Sequence, residues 1–163
     1  MIITLLVAAD LDGGIGKDGG VPWHLNGDLK LFKQLSMGRH LLMGRKTYQS
    51  IGHALTGRQA IILTRRSDFN AQGSLVVGSL GEALTLAESR GEHELFAIGG
   101  GEIFAQTIAA AQRIYLTRVN TRASCEVYFP HIDTKDWVVL ETGFHPQDAK
   151  NDHSYIFSRL ERR

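Results

Sequence analysis

The chain opens with an unbroken apolar run, Ile2–Ala9, that stops at Asp10. Continuous apolar character marks a strand covered on both faces, whereas alternation would mark a half-exposed one. Beyond a glycine-rich stretch, Leu25, Leu29, Phe32 and Leu35 recur at helical spacing, with Asn26 placed to cap that helix. Residues 40–43 read as a short strand, and Gly44-Arg45-Lys46-Thr47-Tyr48 leads into a short helix. A strand over 59–64 and a weaker one over 75–77 follow. Ser79-Leu80-Gly81-Glu82 has the spacing of a capping box, so a helix is expected from Leu80 to about Ser89. Residues 94–98 read as a buried strand, 99–101 as a turn and 102–110 as a helix. Strands over 113–119, 137–141 and 153–160 close the pattern, the last two able to pair as an antiparallel hairpin.

Strands alternating with helices predict an α/β fold: a single domain over residues 1–163. Its predominantly parallel central sheet has about eight strands, helices on both faces and an antiparallel C-terminal edge strand. No internal repeat, low-complexity tract or linker interrupts it.

Composition narrows the function. With 43 % apolar and 21 % charged residues the chain is neither disordered nor fibrous. Lys and Arg number 18 against 17 acidic residues, a net charge of +1. Such a balance lacks the basic face of a duplex-binding domain, so nucleic acid is not an expected partner. Cys125 is the single cysteine and has no partner for a disulfide or a zinc site, which suits a reducing, cytoplasmic compartment. The apolar N-terminal run is too short to span a bilayer and lacks a basic leader, so neither membrane nor secretion is expected. Glycine is over-represented, and its excess clusters at Gly13, Gly14, Gly16, Gly19, Gly20 and Gly27, then at Gly99, Gly100 and Gly101.

In parallel sheets ligands bind beyond the carboxyl ends of the strands, and three such ends here carry anion-binding chemistry. After Ile98, three glycines precede a helix whose first amides can hold a diphosphate; a tight strand-to-helix turn is the plainer reading. Arg45 and Lys46 stand at a helix start, where cations oppose the dipole unless an external anion is present; two solvated side chains are the alternative. Thr64-Arg65-Arg66 follows a strand, and guanidinium suits bidentate phosphate contact, although an arginine pair is commonly just surface. Together the three fit a phosphorylated dinucleotide such as NADPH better than NADH, which calls for an acidic group at the ribose. Asp28 lies in the first turn of its helix, which dipole complementation alone explains. It also lies among Trp23, Leu29 and Phe32, where a carboxylate needs a cationic or hydrogen-bonding partner such as an amidine-like heterocycle edge. Arg58 reads either as a loop cation or as a clamp on a substrate carboxylate. The histidines form no ligand cluster, and no nucleophile elbow occurs, so hydrolytic and metal chemistry lack support.

The ordered set of motifs resembles dihydrofolate reductase, in its short bacterial chromosomal type. It comprises the opening strand to Ala8, Gly14-Ile15-Gly16, Pro22-Trp23, Asp28-Leu29, Phe32-Lys33, Met43-Gly44-Arg45-Lys46-Thr47 and Ser50-Ile51-Gly52. It continues with Leu55, Gly57-Arg58, Ile98-Gly99-Gly100-Gly101, Tyr115-Leu116-Thr117, Phe129-Pro130 and His153-Ser154-Tyr155. The resemblance implies NADPH-dependent reduction of 7,8-dihydrofolate to tetrahydrofolate, with hydride to C6 and protonation at N5, supplying one-carbon metabolism. It implies catalytic roles for Asp28, which would grip the pterin's 2-amino group and N3, and for Thr117 and Trp23 beside it. Leu29, Phe32 and Ile51 would wall the folate, Arg58 would hold its glutamate carboxylate, and carbonyls at Leu6 and Ile98 would face the pterin. Ala8, Ile15 and Gly16 would flank the nicotinamide. Gly99, Gly100 and Gly101, with Glu102, Ile103 and Phe104 of the next helix, would hold the diphosphate side. Gly44, Arg45, Lys46, Thr47, Thr64 and Arg65 would hold the adenosine and its 2′-phosphate. The partners so implied are dihydrofolate and antifolate inhibitors, acting on a monomer, with the loop over 11–23 as a lid.

This sequence departs from the commoner pattern at Val21, His53, Ala54, Thr56, Glu102, Phe104 and Cys125-Glu126. A reductase of the same fold acting on a ribosylamino-pyrimidine is the nearest alternative enzyme; Asp28 after Pro22-Trp23 and the Arg58 clamp favour folate. A catalytically silent dinucleotide-binding module would have no need of Asp28, Trp23 and Thr117 together.

Overall fold

In the computed structural model, which describes Met1–Arg163, the apolar opening run becomes the strand on which the rest is assembled. The chain runs β1 (Ile2–Ala9), β2 (Gly14–Gly16), α1 (Asn26–Ser36), β3 (His40–Gly44), α2 (Arg45–Ile51), β4 (Gln59–Leu63) and β5 (Leu75–Val77). It continues with α3 (Leu80–Ser89), β6 (Glu94–Gly99), α4 (Gly101–Thr107), a 3-10 turn (Ile108–Ala110) and β7 (Arg113–Val119). β8 (Val127–Tyr128), β9 (Trp137–His145) and β10 (Tyr155–Arg162) complete it.

Eight strands form one sheet in the order β5-β4-β3-β6-β1-β7-β10-β9. All neighbours from β5 to β7 are parallel; helices serve the crossovers except between β4 and β5, which an irregular connection over 64–74 joins. β10 runs antiparallel to both β7 and β9, so the expected C-terminal antiparallel edge is a hairpin with β9 outermost. β1 lies between β6 and β7, with Ile2 opposite Glu94 and Thr4 opposite Arg113.

Alternate residues of the central strands feed two cores. On one face Ile3, Leu5 and Val7 pack with Ala83 and Ala87 of α3 and Ile103 and Phe104 of α4. On the other, Leu41, Met43, Ile62 and Phe96 pack beneath Phe32 and Leu35 of α1 and Tyr48 and Ile51 of α2. Both faces of β1 are thereby covered over most of its length, with Leu6 and Ala8 only partly buried, which is why its sequence shows no alternation.

Several boundaries differ from the sequence expectation. Asn26 does not cap α1: it is the first helical residue, and Leu25 occupies the cap position with no side-chain bond to offer. The helix expected over 102–110 begins at Gly101 and tightens into 3-10 geometry after Thr107, whose hydroxyl donates to the Ile103 carbonyl at 2.6 Å. β9 continues past Glu141 to His145 because β10 supplies backbone partners regardless of the polar side chains there. β10 starts at Tyr155, two residues later than expected, and runs on to Arg162. The two-stranded β2–β8 ribbon had no counterpart in the sequence reading. α3, by contrast, spans Leu80–Ser89 with Ser79 Oγ accepting from the Glu82 amide at 3.1 Å. The Glu82 carboxylate reaches Gly78 N at 2.7 Å, one residue beyond the usual reciprocal partner.

Candidate active site

Where β1, β3, β4 and β6 end, a cleft of about 780 Å³ opens. It is of a size suited to a small-molecule ligand. β1 contributes Leu6 and Ala8, the glycine-rich loop Ile15 and Gly16, and α1 Phe32. The β3–α2 junction adds Gly44, Arg45, Lys46, Thr47 and Ile51, and the end of β4 adds Thr64 and Arg65. Ile98, Gly99, Gly100 and Gly101 come from the β6–α4 junction, followed by Glu102, Ile103 and Phe104. The expected cofactor residues are thus brought together on one continuous wall.

The glycines of the β6–α4 junction follow from crowding. Gly99 has φ +119°, and a Cβ there would lie 3.2 Å from the Phe104 ring. A side chain is disfavoured on both counts, by strain and by crowding. The peptide joining Gly99 to Gly100 is cis. Gly100 caps α4 with no side-chain acceptor, leaving the helix start free for another anion. The basic groups have little internal compensation. Arg45 donates only to Gln49 Oε1 at 2.9 Å, and Lys46 is exposed. Arg65 is 89 % exposed and meets Glu102 only at 3.9 Å, a separation at which a solvated pair contributes little. Three cations beside a bare helix start and a cleft of this size fit a phosphorylated dinucleotide.

Asp28, Thr117, Trp23, Leu29 and Arg58 lie beyond the cleft lining. Asp28 sits one turn before Phe32 on α1 and is half-buried. Thr117, 3 % exposed on β7 directly opposite Ala8, donates its hydroxyl to Asp28 Oδ1 at 2.5 Å. Burial pushes the Asp28 carboxyl above its ordinary value, and the Thr117 donation only partly opposes it. Trp23 is buried in a wedge with Leu25, Val119, Cys125 and Tyr155, against which Ala8 packs. It therefore shores the wall that carries Ala8. Leu29, expected to wall the substrate, is 54 % exposed. Arg58 lines a small neighbouring hollow with Leu55 and Ile51, and Ile51 also lines the main cleft. Its guanidinium is only lightly engaged, by the Thr56 carbonyl at 3.1 Å and Ser36 Oγ at 3.4 Å.

The loop over 11–23 is tethered from beneath. Asp10, 1 % exposed, accepts amides from Asp12 at 2.9 Å, Gly14 at 2.8 Å and Ala123 at 3.0 Å. Burial alone would raise this carboxyl, but the Ala123, Gly14 and Asp12 amides outweigh it and hold the group low. Farther along, Asp18 N donates to Glu126 Oε1 at 2.9 Å, and Ser50 Oγ to the Gly19 carbonyl at 2.9 Å. Asp10 and Val127 were not singled out by sequence, Ser50 stood only within a motif and Glu126 only as a departure from the commoner pattern. A buried aspartate ending an apolar strand was the one available signal, for Asp10.

The family model for dihydrofolate reductase matches residues 2–162. Dihydrofolate reductase type 3 of Salmonella typhimurium is 37 % identical over 162 residues, covering 99 % of each chain. The dihydrofolate reductase of Bacillus subtilis is 35 % identical over 162 residues, 99 % of this chain and 95 % of its own. Among solved structures, dihydrofolate reductase from Enterococcus faecalis, complexed with NADP(H) and RAB-propyl, superposes with a TM-score of 0.93. It is 32 % identical and covers 99 % of this chain and 96 % of its own.

Proposed function

The chain belongs to the dihydrofolate reductase family and reduces 7,8-dihydrofolate to 5,6,7,8-tetrahydrofolate with NADPH, and we propose that Asp28 is its acid-bearing residue. The hydrogen bond from Thr117 to Asp28, set on the strand next to Ala8, carries that reading. NADPH supplies the hydride that reaches C6, and solvent supplies the proton that reaches N5.

Asp28 accepts from the pterin's 2-amino group and N3, which leaves the ring oriented with N5 toward the cleft. Burial destabilises the bare carboxylate, so the carboxylate–pterin pair takes up a proton at higher pH than an exposed carboxyl would; with the carboxylate engaged by N3 and the 2-amino group, that proton is placed at N5. Thr117 fixes the carboxyl rotamer, and Trp23 holds the wall bearing Ala8. Leu6 and Ile98 present backbone carbonyls to the pterin's polar edge, while Phe32 and Ile51 exclude water. Leu29 covers the outer side, and Arg58, lightly engaged by its own chain, holds the glutamate α-carboxylate.

Ala8, Ile15 and Gly16 flank the nicotinamide ring. Gly99, Gly100 and Gly101 with Glu102, Ile103 and Phe104 receive the diphosphate side. Gly44, Arg45, Lys46, Thr47, Thr64 and Arg65 receive the adenosine and 2′-phosphate. The loop over 11–23 closes the cleft.

The domain spans 1–163 and acts as a monomer in the cytoplasm, on small molecules rather than nucleic acid or membrane. Antifolates occupy the pterin site. A near-neutral charge and a single buried thiol support this setting, and no helix is long and apolar enough to cross a membrane.

The test follows NADPH absorbance at 340 nm with 7,8-dihydrofolate, for the parent and for Asp28→Asn. The expected result is a folate-dependent decay in the parent and its near-abolition in the variant. An undiminished rate in Asp28→Asn removes Asp28 from the role.

A further inference from the structure

α1 carries Asp28 in its first turn, yet its own N-terminus offers no cap: Leu25 holds the cap position without a side-chain bond. The amides at such a start need acceptors from elsewhere. They come from the β9–β10 connection, more than a hundred residues away. His24 N donates to Asp152 Oδ2 at 2.8 Å, and Asp152 N returns a bond to the His24 carbonyl at 3.0 Å. Leu25 and Asn151 form an antiparallel bridge, and Asn26 N donates to the Lys150 carbonyl at 3.1 Å. The next amide, that of Gly27, donates to the Asn151 side-chain Oδ1 at 3.0 Å.

Asn151 is 4 % exposed, and both its amide oxygen and its amide nitrogen are engaged. Its Nδ2 donates to Asp148 Oδ1 at 2.8 Å, which fixes the amide so that Oδ1 faces the helix. Close approach is enforced from the side as well. A Cβ on Gly27 would lie 2.3 Å from the Tyr155 hydroxyl, and the His145 ring stacks on Tyr155 at 4.8 Å and 3°. The residue immediately after Gly27 is Asp28.

We infer that Asn151 is a positioning residue for the reduction: it supplies in trans the N-cap that α1 lacks, and so sets where Asp28 stands. The Asp28 carboxyl is then fixed from two directions, through its side chain by Thr117 and through its backbone turn by Asn151. This rests on the reading of Asp28 as the acid-bearing group. A cap missing here lets the first turn fray, and small displacements of a positioned group cost rate steeply. The phosphate-binding part of the cofactor wall, built from β3, β4, β6 and their loops, has no part in the clasp; Ala8 on β1 meets the clasp only through the Trp23–Leu25–Tyr155 cluster.

The experiment compares single-turnover hydride transfer from NADPH to 7,8-dihydrofolate in Asn151→Ala, Asp28→Asn and their combination, with NADPH affinity by fluorescence quenching. Asn151→Ala is expected to lose roughly tenfold in rate while its NADPH Kd stays within about twofold of the parent. In the Asp28→Asn background the same change is expected to cost no further rate, since its route runs through that residue. Asn151→Asp alone keeps the acceptor for Gly27 but sets two carboxylates together. Adding Asp148→Asn restores the donor and is expected to bring the rate back within about threefold. That pair carries the comparison if the alanine variant does not fold.

An unchanged rate in Asn151→Ala overturns the inference, as does an equal loss of NADPH affinity, a full further loss in the Asp28→Asn background, or no recovery in the paired variant. A parent-like rate in Asp28→Asn itself instead overturns the reading of Asp28.

Discussion

Thr117 on β7 and Asp28 on α1, 89 positions apart in sequence, are joined by a 2.5 Å hydrogen bond in which the hydroxyl donates to Oδ1. Thr117→Val removes the donor with little change of shape. Because that donation lowers the carboxyl pKa, the variant's carboxyl titrates higher than the parent's. The pH at which hydride transfer falls to half its plateau is expected to move upward; a midpoint unmoved or lower contradicts the coupling.

Asp28 itself imposes a cost on the fold. Its native pKa is raised, first by burial, so the folded state binds a proton more tightly than the unfolded chain. Stability therefore falls as pH rises from the unfolded pKa through the folded one, and the penalty is complete above both. Asp28→Asn is expected to lose on the order of 10²-fold in turnover at neutral pH while melting higher than the parent. The stability gain should vanish in acid. Thermal melts at neutral and acid pH decide it, and a lower Tm at neutral pH counts against the argument.

Asp10 has the opposite sign. Its carboxyl is held low by the amides of Ala123, Gly14 and Asp12 despite burial, so its contribution is present above the unfolded carboxylate pKa. It is lost as pH falls through the folded value. Asp10→Asn is expected to cost about 2 kcal/mol at neutral pH and to lessen the dependence of stability on acid. Urea titrations at several pH values read this directly.

Arg65 meets only a distant Glu102, so its charge is free for a ligand phosphate. Arg65→Ala is expected to weaken NADPH binding roughly tenfold and to leave NADH almost unaffected. Equal losses with both cofactors would show that the guanidinium does not read the 2′-phosphate.

Gly27 reverses an ordinary helix rule. Replacing a helical glycine by alanine usually stabilises by about 1 kcal/mol. Here the added methyl meets the Tyr155 hydroxyl, and Gly27→Ala is expected to destabilise by about 1–3 kcal/mol. Tyr155→Phe in the same chain should recover much of the loss, measured by Tm.

Local signals in the sequence were strong where one residue's neighbours in the chain are also its neighbours in space. Ser79 with Glu82 placed α3 to the residue, and the apolar run placed β1 with both faces covered. The cofactor wall was legible for the same reason, since β3 runs directly into α2, β6 into α4, and Thr64-Arg65 directly follow β4. Asn26 misled because a capping residue type stood one position inside the helix, and the actual acceptor came from Asn151. Glu126 was read only as a departure from the commoner pattern, because its bond to Asp18 spans 108 positions and is invisible without the fold. The end of β9 was lost where Thr142 and Gly143 break any apolar pattern on an exposed edge.

The order of strands has a consequence for how the molecule is made. β1 is the first strand of the sequence but lies between β6 and β7, with Ile2 awaiting Glu94 and Thr4 awaiting Arg113. During synthesis, Ile3, Leu5 and Val7 emerge early and have no sheet to join until most of the chain has left the ribosome. Closing such long loops slows folding. For that interval the most apolar segment of the protein is exposed, and there the nascent chain is most vulnerable to misassociation and most in need of a chaperone.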